Sequence, residues 1–209
     1  MEDKLKICGS MILEEHEPIE IVKRSIDSFK DFVDVIYTTV TYKKVEPKNS
    51  PLLDFLKSYN VKISTFKWVN SFADARNFAM EQVPKGCILF WIDADDILQN
   101  GQALRQIALE MVQFNHAAIF FKYYYLVDLD EAGNIREILI EHKRERLIRH
   151  DGTFKWIGDL HETLIEQRQE NIGKFFRPEC IVVHLTTPER IDANIERNVK
   201  VLEAQAAKE

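Results

Sequence analysis

The 209-residue chain is long enough for one sizeable core, and 45% hydrophobic with 30% charged residues is the balance of a water-soluble globular protein. A net charge of −6 supplies no basic field for nucleic acid or anionic lipid, so an anionic ligand must be met by local charges or by metal. The opening MEDKLKI has no signal-peptide character, and no apolar run approaches the roughly 18 residues that span a bilayer, so the chain reads as cytoplasmic with no transmembrane segment.

Strand and helix patterns alternate over the first half. Leu5 to Leu13 reads as a strand, and Pro18 opens a helix with Ile21, Ile26, Phe29 and Val33 at near-helical spacing. Val35 to Val40 is a β-branched strand, Pro51 to Tyr59 a short helix, and Val61 to Phe66 a third strand. In "NSFADARNFAMEQV", Ser71 with Asp74 three residues on gives a capping box before Phe72, Ala75 and Ala79 on one helical face; Pro84-Lys85-Gly86 ends that helix. Cys87 to Ile92 is continuously apolar, as a strand covered on both sides must be, and this order of elements predicts an α/β layered fold.

After a helix from about Ala103 to Phe114 the pattern changes. Ile119 to Leu126, Ile135 to Ile140 and Glu145 to Ile148 read as strands of an antiparallel meander, separated by turns such as "DEAGN" and followed by "HDGT". The basic residues His142, Lys143, Arg144, Arg146 and Arg149 alternate with acids and read as a solvated strand surface. Ile181 to Leu185 is one more strand. Thr187 caps a last helix with Pro188 at its first position, and the stripe Ile191, Ile195, Val199 and Leu202 predicts that this helix packs on the body. Cys8, Cys87 and Cys180, odd in number and without CxxC spacing, read as free buried thiols.

The chemistry concentrates where "GCILFWIDADDIL" runs from apolar residues into carboxylates. In open α/β sheets ligands bind beyond the carboxyl ends of the strands, and Asp93 and Asp95, two apart on extended chain, can approach one divalent cation. An all-oxygen pair suits Mg²⁺ or Mn²⁺. The plain alternative is a polar turn at a strand end. An EF-hand is a poor match, because its sixth position after Asp93 would be Leu98 instead of glycine.

"FADARNFAMEQVPKGCILFWIDADDIL" resembles the heart of the family 2 glycosyltransferases, whose GT-A fold carries a phrase like F-A-x-A-R-N-x-A before a strand ending in Asp-x-Asp. "ERLIRHDGTFKWIGDLHETL" resembles the R-L-F-R, W-x-G and H-E phrases of a short bacterial and phage branch, and "HLTTPERIDANIERNVKVLE" resembles its closing His and terminal helix. The motifs come in order across residues 5 to 203. The chain departs from the family at the first strand, which ends Leu13-Glu14-Glu15, and near Thr38 and Thr39, where an acid is expected.

The resemblance implies a GT-A, Rossmann-like mixed sheet flanked by helices, with a small antiparallel β region and a C-terminal helix. It implies one domain over 1–209: a nucleotide-sugar half to about residue 100, an acceptor-side half over about 101–187, and the helix 188–209. The activity implied is metal-dependent, inverting transfer of a sugar from a nucleoside-diphosphate donor to an acceptor hydroxyl, with Mn²⁺ or Mg²⁺. Asp93, Asp95 and His184 are the implied metal ligands, and Asp74, Arg76, Asn77, Asp93 and Asp95 the nucleotide-sugar residues. Glu162 is the implied base with Asp159 as second choice, and Trp156 and His161 face the acceptor. Structural readings stand beside these: Asp74 and Glu162 as caps, Arg76 as a surface ion pair, His184 as a strand-end residue. A nucleotidyltransferase is the second enzyme class, disfavoured because Gly9 lies too early for a phosphate loop; a transferase fold kept as a binding module is the third. The acceptor class stays open among glycan, lipid-linked glycan, protein and modified nucleobase, and the oligomeric state is unassigned.

Overall fold

The computed structural model describes residues 5–168, 172–186, 195 and 197–203. Its main sheet has eight strands in the order β3-β2-β1-β4-β7-β6-β10-β5, and β8 and β9 form a separate antiparallel pair. The strands are β1 (Ile7–Glu14), β2 (Val35–Tyr42), β3 (Lys62–Lys67), β4 (Ile88–Asp93), β5 (Asp96–Gln99), β6 (Ala118–Leu129), β7 (Ile135–Arg149), β8 (Phe154–Ile157), β9 (Thr163–Glu166) and β10 (Lys174–His184). The helices are α1 (Ile19–Phe29), α2 (Pro51–Ser58), α3 (Phe72–Glu81) and α4 (Leu104–Gln113). The four strands β3, β2, β1 and β4 run parallel, and β7 enters antiparallel beside β4. This is the mixed α/β sheet that the alternating patterns predict.

β4 shows why its sequence is apolar without alternation. Ile88, Phe90 and Ile92 join one core with Val22, Ile26 and Phe29 of α1, Leu53 and Leu56 of α2, and Ile107 and Met111 of α4. Leu89 and Trp91 point the other way, into a second core with Ala73 and Met80 of α3 and Phe154, Trp156 and Leu164 of the small sheet. Each such fully buried side chain contributes about 1.5–3 kcal/mol. On α1 the buried stripe is Val22, Ile26 and Phe29, spaced i, i+4, i+7, and Ile21 is only half-buried. Gly9 belongs to this packing: a Cβ there would meet Phe29 Cε2 at 2.9 Å, which explains a mid-strand glycine without any phosphate loop.

The later region differs in detail from its sequence reading. The strands expected over 135–140 and 145–148 are one strand, β7, which pairs with β6 in a long hairpin turned at Asp130 to Asn134. β10 begins at Lys174, well before Ile181; its pairing with β6 breaks between Phe176 and Ile181, where Pro178 cannot donate to the ladder. Asp96 to Gln99 forms a short edge strand, β5, against β10, where a simple turn was expected.

The C-terminal segment is helical at residue 195 and over 197–203. Its expected stripe does not face the body: Ile195, Val199 and Leu202 are exposed, and Val201 is buried. Arg197, one turn before Val201 on the same face, lays its guanidinium over the Phe72 ring at 4.8 Å. Thr187, Pro188 and Ile191 lie outside the described residues. Cys8, Cys87 and Cys180 are free and buried. Among the described residues no helix is long and apolar enough to cross a membrane.

Candidate active site

The parallel strands β1, β2 and β4 deliver their carboxyl ends to one cleft of about 430 Å³, lined there by Glu14, Thr41, Lys43, Asp93 and Asp95. On its other walls stand Tyr123 and Arg144 of the β6–β7 hairpin, His161 and Glu162, His184, and Arg197 and Asn198 of the last helix. Thr38 and Thr39 are buried inside β2, so the strand end that faces the cleft is Thr41 to Lys43, and Lys43 there pairs with Glu14 at 2.7 Å.

The acids of "DADD" part into three environments. Asp96, the last acid of the strand-end run, is fully buried. Its carboxylate accepts from Arg146 Nη2 at 2.9 Å and Tyr123 Oη at 3.2 Å, and its Oδ1 lies 3.1 Å from His184 Nδ1. Arg146, expected on a solvated surface, is likewise fully buried, its guanidinium 4.0 Å from the Trp91 ring centre and 4.5 Å from that of Tyr123. The sequence misled because a charge on a strand is normally solvated; here burial is sustained by an ion pair and two ring faces. Burial and the Asp96 charge push the Tyr123 hydroxyl well up, keeping it a donor.

Asp95 is buried and its Oδ1 lies 3.5 Å from His184 Nδ1. Ligand atoms of Asp95, Asp96 and His184 all fall within 4.8 Å of one another, the one such group of three among the described residues. Burial alone would lower the His184 pKa, but its bond to Asp96 and the charges of Asp95, Asp96 and Asp93 raise it. Tyr125 stacks on the His184 ring at 5.6 Å, nearly parallel.

Asp93 takes a third course. Arg76 of α3 donates from Nη2 to Asp93 Oδ1 at 2.6 Å and from Nε to Glu162 Oε1 at 2.6 Å, with Trp91 and Trp156 at 4.9 and 5.0 Å from its guanidinium. Burial would raise the Asp93 pKa, yet Arg76, Arg146 and Arg144 together hold it down to about 2. Burial works against the Arg76 charge, and Asp93 and Glu162 more than reverse that, raising its pKa further. Glu162 reaches this point because the β8–β9 connection turns through Gly158 (φ +94°) and His161 (φ +55°), both in the left-handed region.

The remaining sequence-derived residues scatter. Ser71 caps α3 by accepting from the Asp74 backbone N–H at 3.2 Å, and the Asp74 side chain is exposed, away from the cleft. Asn77 clasps β8, donating to Trp156 O and accepting from Trp156 N, both at 2.9 Å. The Trp156 ring lies edge-on to Trp91 at 4.9 Å and is buried beneath the cleft, not presented to it. Asp159 meets α3 through its carbonyl, which accepts from Phe72 N at 2.9 Å. Sequence reasoning passed over Trp68, Phe72, Tyr125, Arg144, Arg146 and Arg197 as cleft residues. The one available signal was the dense run of arginines through "KRERLIR".

No protein-family model matches the chain, and no curated protein matches it. Among solved structures, GalNAc-T7 with UDP, GalNAc and Mn²⁺ is similar at a TM-score of 0.55 and 13% identity, covering 89% of this chain and 45% of that one. TarS of S. aureus (TM-score 0.45, 14% identity, 60% of this chain and 23% of that one) and HddC from Yersinia pseudotuberculosis (0.45, 11%, 96% and 99%) also match. This chain thus spans less than half the length of GalNAc-T7 and about a quarter of TarS. The mixed sheet flanked by helices, with its small antiparallel pair and C-terminal helix, is the fold that this chain shares with GalNAc-T7.

Proposed function

We propose that the chain is a metal-dependent, inverting glycosyltransferase of the family 2 type, moving a sugar from a nucleoside-diphosphate donor to an acceptor hydroxyl. One observation carries the reading. At the carboxyl ends of β1 and β4, a single arginine ties the first acid of Asp93-Ala94-Asp95 to Glu162, beside a buried Asp95–His184 pair. A fold shared with a glycosyltransferase solved with UDP and Mn²⁺ supports it. The mid-strand Gly9 packed on Phe29 offers nothing to the nucleotidyltransferase alternative.

The donor set fits a hard divalent cation. Asp95 offers a carboxylate oxygen, which suits Mn²⁺ or Mg²⁺, and His184 a ring nitrogen, which Mn²⁺ accepts more readily than Mg²⁺; because Nδ1 is taken by Asp96 at 3.1 Å, Nε2 is the nitrogen left for the cation. Asp95 and His184 would hold it, with Asp93 turned toward donor ribose and diphosphate. Once bound, the cation offsets charge on the departing diphosphate. Asp96 acts as a positioning residue: its bonds to Arg146 and Tyr123 anchor the carboxylate that fixes the His184 ring.

Glu162 is the base. Arg76 occupies its Oε1, which leaves Oε2 to take the proton of the acceptor hydroxyl as the acceptor oxygen bonds to the anomeric carbon from the face opposite the diphosphate, whose bond to that carbon breaks. Because Arg76 also holds Asp93, base and donor-side acid keep a fixed relation. His161 faces the acceptor. The half to about residue 100 binds the donor, and residues from about 101 to 187 serve the acceptor.

The test is a panel of nucleotide sugars with Mn²⁺, read by slow donor hydrolysis and by protection from thermal unfolding. Metal-dependent turnover of at least one donor is expected. Binding without turnover favours the binding-module alternative, and no response to any donor removes the proposal.

A further inference from the structure

Three arginines crowd the indole of Trp91, with guanidinium carbons 4.0 Å (Arg146), 4.9 Å (Arg76) and 5.5 Å (Arg144) from the ring centre. Two of them are neutralised, Arg146 by Asp96 and Arg76 by Asp93 and Glu162. The Arg144 guanidinium forms no hydrogen bond or ion pair among the described residues, although its Nε is buried. It lines the same cleft, near enough to Asp93 for its charge to help hold that carboxyl ionised. Leaving a guanidinium partly desolvated without a hydrogen-bonded counter-ion costs stability, since no carboxylate replaces the hydration lost at its buried Nε. A net charge of −6 also means that no general field attracts an anion to this cleft, so a local cation must do so.

We propose that Arg144 is the seat of a phosphoryl oxyanion carried by a bound substrate. A guanidinium fork matches two phosphate oxygens at once, and the Trp91 ring lies against this one, 5.5 Å from its carbon. Two substrate groups have this chemistry: the diphosphate of a nucleotide donor and a phosphate on the acceptor. Naming these two sources rests on the transferase reading; the unpaired cation does not. On the acceptor side, His142 of the same strand contacts Tyr125, whose ring covers His184, so a second imidazole stands between Arg144 and the exposed hairpin.

Calorimetric titration of the wild-type chain, Arg144→Gln and Arg144→Lys tests this. The probes are UDP, GDP, CDP, dTDP and ADP with Mn²⁺, and separately inorganic phosphate and glycerol 3-phosphate with and without the best nucleotide. Arg144→Gln is expected to weaken one class of probe by about 10- to 100-fold, the range for a hydrogen bond to a charged group, with Arg144→Lys intermediate. Loss confined to the nucleoside diphosphates places the seat at the donor; loss confined to phosphate and glycerol 3-phosphate places it at the acceptor. Binding of every probe within twofold of wild type, or no phosphoryl probe binding the wild type, overturns the proposal. If Arg144→Gln does not fold, Arg144→Lys decides, because unchanged affinity there removes the need for the fork. Phosphate binding that depends on Arg144 with no metal-dependent nucleotide binding would keep this seat and discard the transferase reading. Metal-dependent nucleotide binding indifferent to position 144 would do the reverse.

Discussion

Arg146 and Arg76 sit on the same indole and each pairs with an acid of the same four-residue turn, yet they have different fates. The side chains of Arg146 and Asp96 are 1% and 0% exposed, sealed between two aromatic rings. Arg76 is 11% exposed, with partners Asp93 at 25% and Glu162 at 11%, and both partners line the cleft. The sealed pair is architecture that aims His184; the open triad lines the cleft. Burial, more than charge or motif, separates them.

The sharpest way to break the comparison is at the sealed pair. Asp96→Ala leaves Arg146 charged and buried without its counter-ion, and should cost about 3–5 kcal/mol of stability in denaturant unfolding. A loss under about 1 kcal/mol would mean that water reaches the pair. At the open triad the effect should be on rate: Glu162→Gln is expected to slow transfer by about 10²- to 10³-fold while sparing nucleotide binding, measured by initial rates and calorimetry. Full transfer in that variant would move the base to Asp159. Asn77→Ala removes the two-bond clasp on Trp156 and should cost about 1–2 kcal/mol, because two backbone groups of β8 lose their partner. Lys43→Ala breaks an exposed pair with Glu14 and should change stability by less than about 1 kcal/mol; a larger loss on thermal unfolding would show that solvent exposure is a poor guide here.

The same contrast marks how far the sequence can be read. Asp93, Asp95, Arg76 and Glu162 stand out because each belongs to a short local phrase, and local phrases survive without knowledge of the fold. Asp96, Arg146 and Tyr123 do not, because their meeting spans 50 residues in one case and 27 in the other, and nothing in one dimension says which strands become neighbours. The elements to β4 were legible because α1 buries a periodic stripe and β4 is a continuous apolar run buried on both faces. β5 is only four residues long, β10 is interrupted at Pro178, and β7 carries charge through its middle, so periodicity is lost there. The last helix shows periodicity misleading, since Ile195, Val199 and Leu202, the described members of its apolar stripe, are exposed.

The proposed transfer depends on Asp95 and His184 holding a divalent cation that binds a nucleoside diphosphate. Calorimetric titration of UDP, GDP, CDP, dTDP and ADP, with Mn²⁺ and with chelator, into the wild-type chain and Asp95→Asn tests it most directly. Mn²⁺-dependent binding of at least one nucleotide to the wild type is expected, lost in Asp95→Asn while the variant's unfolding midpoint stays close to wild type. Nucleotide binding of equal strength with chelator, or in Asp95→Asn, would contradict it.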